Sequence, residues 1–239
     1  MEILKFKLSG KTAFFKKPEV NTYYYFTYGN IHKVALLGIF GAILGLGGYM
    51  QMKKEDEYPE FYEKLQNLKV GVAPEDQSKG CFQKKIQSFN NSVGYASAES
   101  GGNLIIKQQW IENPCWNIYL KIESEEGKAI KEALLNKECR FIPYLGSNNH
   151  PADIQEPVIM TGSLAEDMED MRIHSLFPKA EATLDSEGEG GYQYEEYLPV
   201  KLQKKTNMYQ MEKFTFTDFF LEECQCDVYS IDGKNIVFF

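Results

Sequence analysis

Asn30, His32 and Lys33 stand just ahead of a long apolar run, and an aromatic stretch, Tyr23-Tyr24-Tyr25-Phe26-Thr27-Tyr28, precedes them. A histidine, a lysine and a tyrosine can together cleave RNA without a metal, by general acid–base chemistry. The same residue types also make a plain binding site, and nothing in the spacing demands catalysis. The three histidines, His32, His150 and His174, fit no H-E-x-x-H, and the chain has no nucleophile elbow or phosphate loop. Asp185, Glu187, Glu189, Gly190 and Glu196 fall on positions 1, 3, 5, 6 and 12 of a calcium loop. Glutamates replace the usual Asp or Asn there and Pro199 blocks an exiting helix, so a flexible acidic turn is the expectation. Cys224 and Cys226 form a C-x-C with no second Cys or His pair at ligand spacing, which argues against zinc. No metal or other cofactor is expected.

Binding chemistry is better represented. Asn30 is a capping residue type, and His32-Lys33 would sit where a helix presents free N–H groups and its positive dipole end. Cations are unfavourable there unless an anion is bound, so phosphate contact is expected, against the plainer reading of a loop histidine and a solvated lysine. The aromatic run can stack bases at about 1–3 kcal/mol each. One or two of its rings are expected at a ligand and the others in the core.

The element that would position these groups is the run from Lys33 to Tyr49, apolar and carrying five glycines. At about 100° per residue, Gly38, Gly41, Gly45 and Gly48 lie within roughly 80° of one another, with Leu36, Phe40, Ile43 and Leu44 opposite. Each interior glycine costs about 1 kcal/mol against alanine, so something must approach the bare face closely. A membrane helix, a helix pressed on a sheet and a helix meeting a phosphate backbone all fit this pattern. The run is short, glycine-diluted and flanked by lysine on both sides, which disfavours the membrane.

Around it, residues 1–8 alternate as a half-buried strand. A polar connector over 53–80 holds a short helix near 61–68; residues 83–89 and 116–122 are expected as strands, and 90–114 as a long hairpin excursion. Residues 128–136 have helix periodicity, and a fourth strand fits 157–161. The order β-α-β-β-α-β is the ferredoxin-like pattern, an α+β fold. Beyond residue 150 the chain turns acidic, and 198–202, 209–216 and 228–239 suggest further strands.

The 239 residues carry a net charge of −8, which by itself speaks against nucleic acid. Residues 1–54 hold eight lysines against two glutamates, +6, so the remainder carries −14. A basic quarter on an acidic body suggests one surface for a polyanion and another for something else. Five cysteines, an odd number without a secretion signal, point to a reducing cytoplasm.

Several of these stretches together are similar to one family. Residues 8–21 (LSGKTAFFKKPEVN), 26–33 (FTYGNIHK) and 36–45 (LLGIFGAILG), then 108–114 (QQWIENP) and 142–146 (IPYLG) with His150-Pro-Ala, occur in the order of the fifth Cas protein family, a RAMP-type subunit of type I CRISPR surveillance complexes, with type I-B the best fit. The resemblance covers roughly residues 1–155; residues 160–239 add little to it. It implies an RRM-like RAMP domain over 1–155 with a thumb hairpin at 90–114, and a β-rich C-terminal extension over 156–239 packed on the core. It also implies a subunit that caps the 5′ end of the CRISPR RNA by holding its repeat-derived 5′ handle. The implied partners are the large subunit and the first backbone subunit of Cascade, with target DNA met only through the complex, and neither a nucleotide cofactor nor a membrane. One branch of the family cleaves precursor RNA with a Tyr/Lys/His site, whereas type I-B systems use a separate endoribonuclease, so binding is expected here and His32-Lys33 keeps cleavage open. Under the resemblance Lys11, Lys16, His32 and Lys33 would serve phosphates, and Asn21, Asn30, Gln108 and Gln109 would read base edges or ribose hydroxyls. Trp110 would wedge beside a splayed base or anchor the thumb, and Arg140 would clamp a phosphate or form a surface ion pair. Tyr28, Gly38 and Tyr144 complete the expected RNA-binding set.

Overall fold

Leu4, Phe6 and Leu8 are buried on one face of the first strand, while Lys5 and Lys7 stay half-exposed on the other, as the alternation requires. A computed structural model describes all residues except 20–22, 91–93, 96–97, 166–170 and 186–189. The strand, β1 (Glu2–Ser9), is followed by two short ones, β2 (Thr12–Ala13) and β3 (Tyr24–Tyr25), then by helices α1 (Lys33–Leu44) and α2 (Glu60–Leu65). Strands β4 (Val70–Pro74), β5 (Lys84–Asn90), β6 (Ile105–Glu112) and β7 (Cys115–Lys121) lead to α3 (Glu125–Leu135) and β8 (Asp153–Thr161). The rest is β structure: β9 (Ser163–Leu164), β10 (Phe177–Pro178), β11 (Ala182–Leu184), β12 (Gln193–Leu202), β13 (Tyr209–Thr217), β14 (Leu221–Cys224), β15 (Val228–Ile231) and β16 (Lys234–Val237).

The central sheet runs β4-β7-β1-β8, antiparallel throughout, with Leu4 opposite both Leu120 and Ile159. With α1 between β1 and β4 and α3 between β7 and β8, this is the ferredoxin-like order. The helices bury one face: Phe40 meets Phe6 edge-to-face at 6.1 Å, and Ile130 and Leu134 of α3 join the same cluster.

The second core strand is β4, not the expected 83–89. That segment is β5, which pairs with β6 to form the thumb hairpin, and the hairpin therefore spans 84–112 rather than 90–114. Strand β6 also carries β2, antiparallel, and β3, parallel, on its other edge. A division at 155/156 falls inside β8, which belongs to the core sheet through its pairing with β1.

The C-terminal half closes over the core. Ile231 and Ile236 of the β15–β16 hairpin pack on Ile3, Ala73 and Tyr119, the sheet face opposite the helices. Gly71 makes room for them: a Cβ there would lie 2.6 Å from Ile236 Cγ2. The last residue pairs backbone to backbone with Val70, at 3.1 and 3.3 Å.

Helix α1 stops well before residue 49. Gly45 takes φ 77° just past Leu44, and Leu46 N–H reaches back to the Gly41 carbonyl at 2.9 Å, a Schellman stop that glycine alone adopts without strain. No helix among the described residues is long and apolar enough to cross a membrane.

Candidate nucleic-acid interface

The segment before α1 turns its polar groups inward. Asn30 is fully buried; its amide donates to the Gly80 carbonyl at 2.9 Å and its oxygen accepts from Trp116 Nε1 at 2.9 Å. Thr27 Oγ1 accepts from Phe15 N–H and donates to the Tyr28 carbonyl, both at 2.9 Å. Tyr28 is buried with its hydroxyl 3.7 Å from Met211 sulfur, and burial raises its pKa. Lys33 Nζ donates to the Phe239 carbonyl at 3.1 Å, and burial beside Lys69 and Lys201 lowers its pKa to about 8. Asn30, Tyr28 and Lys33 are thus parts of the fold and do not reach a ligand surface, contrary to the expectation for them. The reason is elementary: buried polar groups must be paired, and these pair with residues far along the chain.

His32 is the N-cap of α1, with Nδ1 accepting the Ala35 N–H at 3.2 Å. Phe15, Tyr28 and Tyr209 surround its ring at centroid distances of 6.0, 5.3 and 5.4 Å. Burial among them drives its pKa down to about 3. The ring is therefore neutral at physiological pH, and with Nδ1 used as an acceptor its proton sits on Nε2. His32 offers a neutral donor and not a cation for phosphate. Nor do His32 and Lys33 converge as an acid–base pair, because Lys33 points to the C-terminus.

One side of α1 remains open. Ala35, Gly38 and Ala42 floor a groove of about 760 Å3, walled by Tyr49, Phe141, Ile142 and Tyr144, with His32 and Lys16 also lining it. A Cβ at Gly38 would meet nothing within 4 Å, so within α1 the close approach inferred from the glycines has space here; at Gly48, past the helix, it would meet only Gln51 Oε1 at 3.6 Å. At Gly41 a Cβ would lie 2.6 Å from Phe61 Cβ, and at Gly45 it would lie 2.6 Å from Arg140 Cγ. The wall is held by Phe141 N–H on the Ala42 carbonyl at 3.0 Å and by Leu145 N–H on the His150 carbonyl at 2.7 Å. Ile142 is 78 % exposed and Met50, also at the groove, 92 %. Lys16, which lines the groove, stands over the Tyr25 ring at 4.1 Å, and Tyr24 stacks on Phe26 at 4.7 Å, while Tyr28 of the same run lies in the core. Arg140 is exposed at the C-terminal end of α1, where its charge favours the helix dipole.

The thumb root is the second outward region. Gln108, Gln109 and Trp110 share β6, and Trp110 Nε1 donates to Gln108 Oε1 at 2.8 Å. The indole sits edge-to-face on His150 at 4.6 Å, and His150 Nδ1 bonds Thr12 Oγ1 at 2.6 Å. Trp110 is thus anchored on the core, and His150, outside the expected set, is its seat. Only the quoted His150-Pro-Ala motif hinted at that. Lys11, Lys84 and Lys107 are exposed and have no ion-pair partner among the described residues; Lys85 pairs with Glu112 at 3.3 Å. Asn21 lies outside the described residues, as do Glu187 and Glu189 of the calcium-like spacing. Glu196 of that spacing is occupied by Gly29 N–H and Tyr194 OH at 2.8 Å each and by Lys17 at 3.0 Å. No group of three or more metal-ligating side chains forms among the described residues.

The fold and these surfaces define a ferredoxin-like α+β protein with a long hairpin, an open groove along its first helix and a sheet face closed by its own C-terminal hairpin. Solved structures with a similar fold include two that follow nearly the whole chain. One is titled a CRISPR RNA-guided surveillance complex, with TM-score 0.55 and 11 % identity over 92 % of this chain and 91 % of that one. The other is a CRISPR protein from Archaeoglobus fulgidus, with TM-score 0.53 and 10 % identity over 99 % of both chains. Identities this low establish the fold alone. No protein-family model and no curated protein sequence matches the chain.

Proposed function

We propose that the chain is a non-catalytic RNA-binding subunit of a type I-B CRISPR surveillance complex, acting in the cytoplasm in antiviral defence. It caps the guide by holding the 5′ handle, contacts the large and backbone subunits, and meets target DNA only through the complex. One observation carries the reading: the fold follows, over nine-tenths of the chain, a structure from an RNA-guided surveillance complex.

The exposed groups support one path for the RNA. A ferredoxin-like sheet often reads RNA on its open face, but here Ile231 and Ile236 occupy that face. The handle instead runs from the thumb root, past Lys11 and Lys16, into the α1 groove. Lys11, Lys16, Lys84 and Lys107 meet phosphates, Gln109 faces ribose or base edges, and Tyr144 and Phe141 stack a base over the Gly38 floor. His32 gives that base an Nε2–H donor. A histidine with a pKa near 3 and a lysine turned away supply no acid–base pair, which favours binding over cleavage.

The assembled complex should bind handle-bearing RNA at least about tenfold more tightly than RNA with a scrambled handle, about 1.4 kcal/mol. Equal affinities overturn the proposal. Incubating the purified chain with repeat RNA in EDTA should leave the RNA intact; a clean cut at one position would establish a precursor endoribonuclease instead.

A further inference from the structure

Cys224 ends β14 and Cys226 lies two residues ahead of β15, and neither belongs to the RNA surfaces above. Their sulfurs are 2.9 Å apart, in direct hydrogen-bond contact. The turn between them is held by Gln225 N–H on the Glu181 carbonyl at 2.7 Å, and Ala182 on β11 pairs opposite Cys224. Both thiols are half-buried against Met171, Ile173, Phe177, Leu221 and Val228. The remaining cysteines, Cys81, Cys115 and Cys139, form no sulfur–sulfur contact among the described residues.

We propose that Cys224 and Cys226 form a reversible dithiol–disulfide site, oxidised by a peroxide, that tethers the end of β14 to the start of the hairpin closing the core sheet. The contact leaves the sulfurs less than about 1 Å from the disulfide length of roughly 2.05 Å. Chemistry within the pair favours one order of events. The contact with Cys226 lowers the Cys224 pKa to about 7, against burial and the charge of Glu181, and the same contact and burial raise Cys226. The Cys224 thiolate attacks one peroxide oxygen, breaking the O–O bond; it becomes the sulfenic acid, and the other oxygen leaves as hydroxide, which takes up the proton Cys224 released on ionising to form water. Cys226 sulfur then attacks the sulfenic sulfur, forming the S–S bond, and the hydroxyl departs as a second water with the Cys226 proton. Two thiols lose two electrons in total and one peroxide gains them. In a reducing cytosol such a bond is transient, as suits a regulatory modification rather than a structural staple.

Tryptic cleavage at Lys213 and Lys234 yields one peptide, 214–234, that contains Cys224 and Cys226 and no other cysteine. The reduced full-length chain is treated with about one equivalent of hydrogen peroxide, alkylated, digested without reductant and weighed. Peptide 214–234 should lose two hydrogens and take up no alkylating agent, and dithiothreitol should restore both labels. Cys81 and Cys139 should stay alkylatable. The same reaction in guanidinium should be at least about tenfold slower, because there the contact is gone. Full labelling of both cysteines, sulfinic acids in place of the bond, or equal rates in folded and unfolded chains would each overturn the proposal. Cys226→Ser should leave Cys224 as a sulfenic acid that a dimedone probe traps; absence of the adduct would contradict Cys224 as the first sulfur oxidised.

Discussion

Two polar regions of this protein use similar residue types for opposite ends. In the segment 27–33, Asn30, His32 and Lys33 spend their polar atoms on Gly80, Trp116, Ala35 and Phe239, and they hold the N-terminus of α1 against the core. At the thumb root, Gln108, Lys84 and Lys107 lie on a two-stranded hairpin whose side chains largely face water. Residue type does not separate the two regions. The number of partners supplied by distant chain does.

The sharpest way to break this contrast is Asn30→Ala. It leaves the Trp116 N–H and the Gly80 carbonyl buried without a partner and should cost ~3 kcal/mol. For a chain of this length that lowers Tm by roughly 10 °C in a thermal melt. Gln108→Ala on the thumb should move Tm by less than about 2 °C. An Asn30→Ala protein that melts normally yet loses RNA would reverse the assignment.

Next come the two glycines of α1. Gly41→Ala forces a Cβ to within 2.6 Å of Phe61 Cβ and should destabilise by ~1–3 kcal/mol. Gly38→Ala meets open space and should stabilise by up to ~1 kcal/mol through helix propensity. Gly38→Trp should fill the groove and weaken handle binding at least about tenfold at unchanged Tm, the pattern expected of a ligand floor.

Smaller effects separate buried from exposed cations. Lys33 binds its proton less tightly in the folded chain, about 8 against 10.5, so the unfolded state holds more protons between those values. This residue therefore adds stability as pH rises from about 8 to 10.5, and melts of Lys33→Met against the parent should show that rise flattened. His32 acts the same way at the acid end: its contribution is lost as pH falls from 6.5 towards 3. Because His32 stays neutral, acidification from 7.5 to 5.5 should bring no His32-dependent gain in RNA affinity. Smallest of all, Lys84→Gln and Lys107→Gln should each reduce the slope of log affinity against log salt by about 0.7 without moving Tm.

The sequence patterns reveal much of this layout, and their failures have physical causes. Alternation marks β1, periodicity marks α3, and the C-terminal strands β12 and β13 follow from their apolar runs. Strand β4 escapes because Val70–Pro74 is buried at every position, shows no alternation, and contains Gly71 and Pro74. Missing it shifts the thumb, because β5 alternates as a core strand would. The inward turn of Asn30 and Lys33 depends on partners 50, 86 and 206 residues away, which no local pattern encodes. The glycines correctly signal close approach, but only the fold decides that Phe61 fills the Gly41 position, Arg140 the Gly45 position, and that Gly38 stays open.

The most direct test of the account is photocrosslinking of the purified complex assembled on guide RNA with 4-thiouridine in its 5′ handle, followed by mass spectrometry of the linked peptides. Crosslinks should fall in residues 11–28, 105–112 and 141–146. Crosslinks confined to 153–161 or 228–239, or no excess over a scrambled handle, would contradict it.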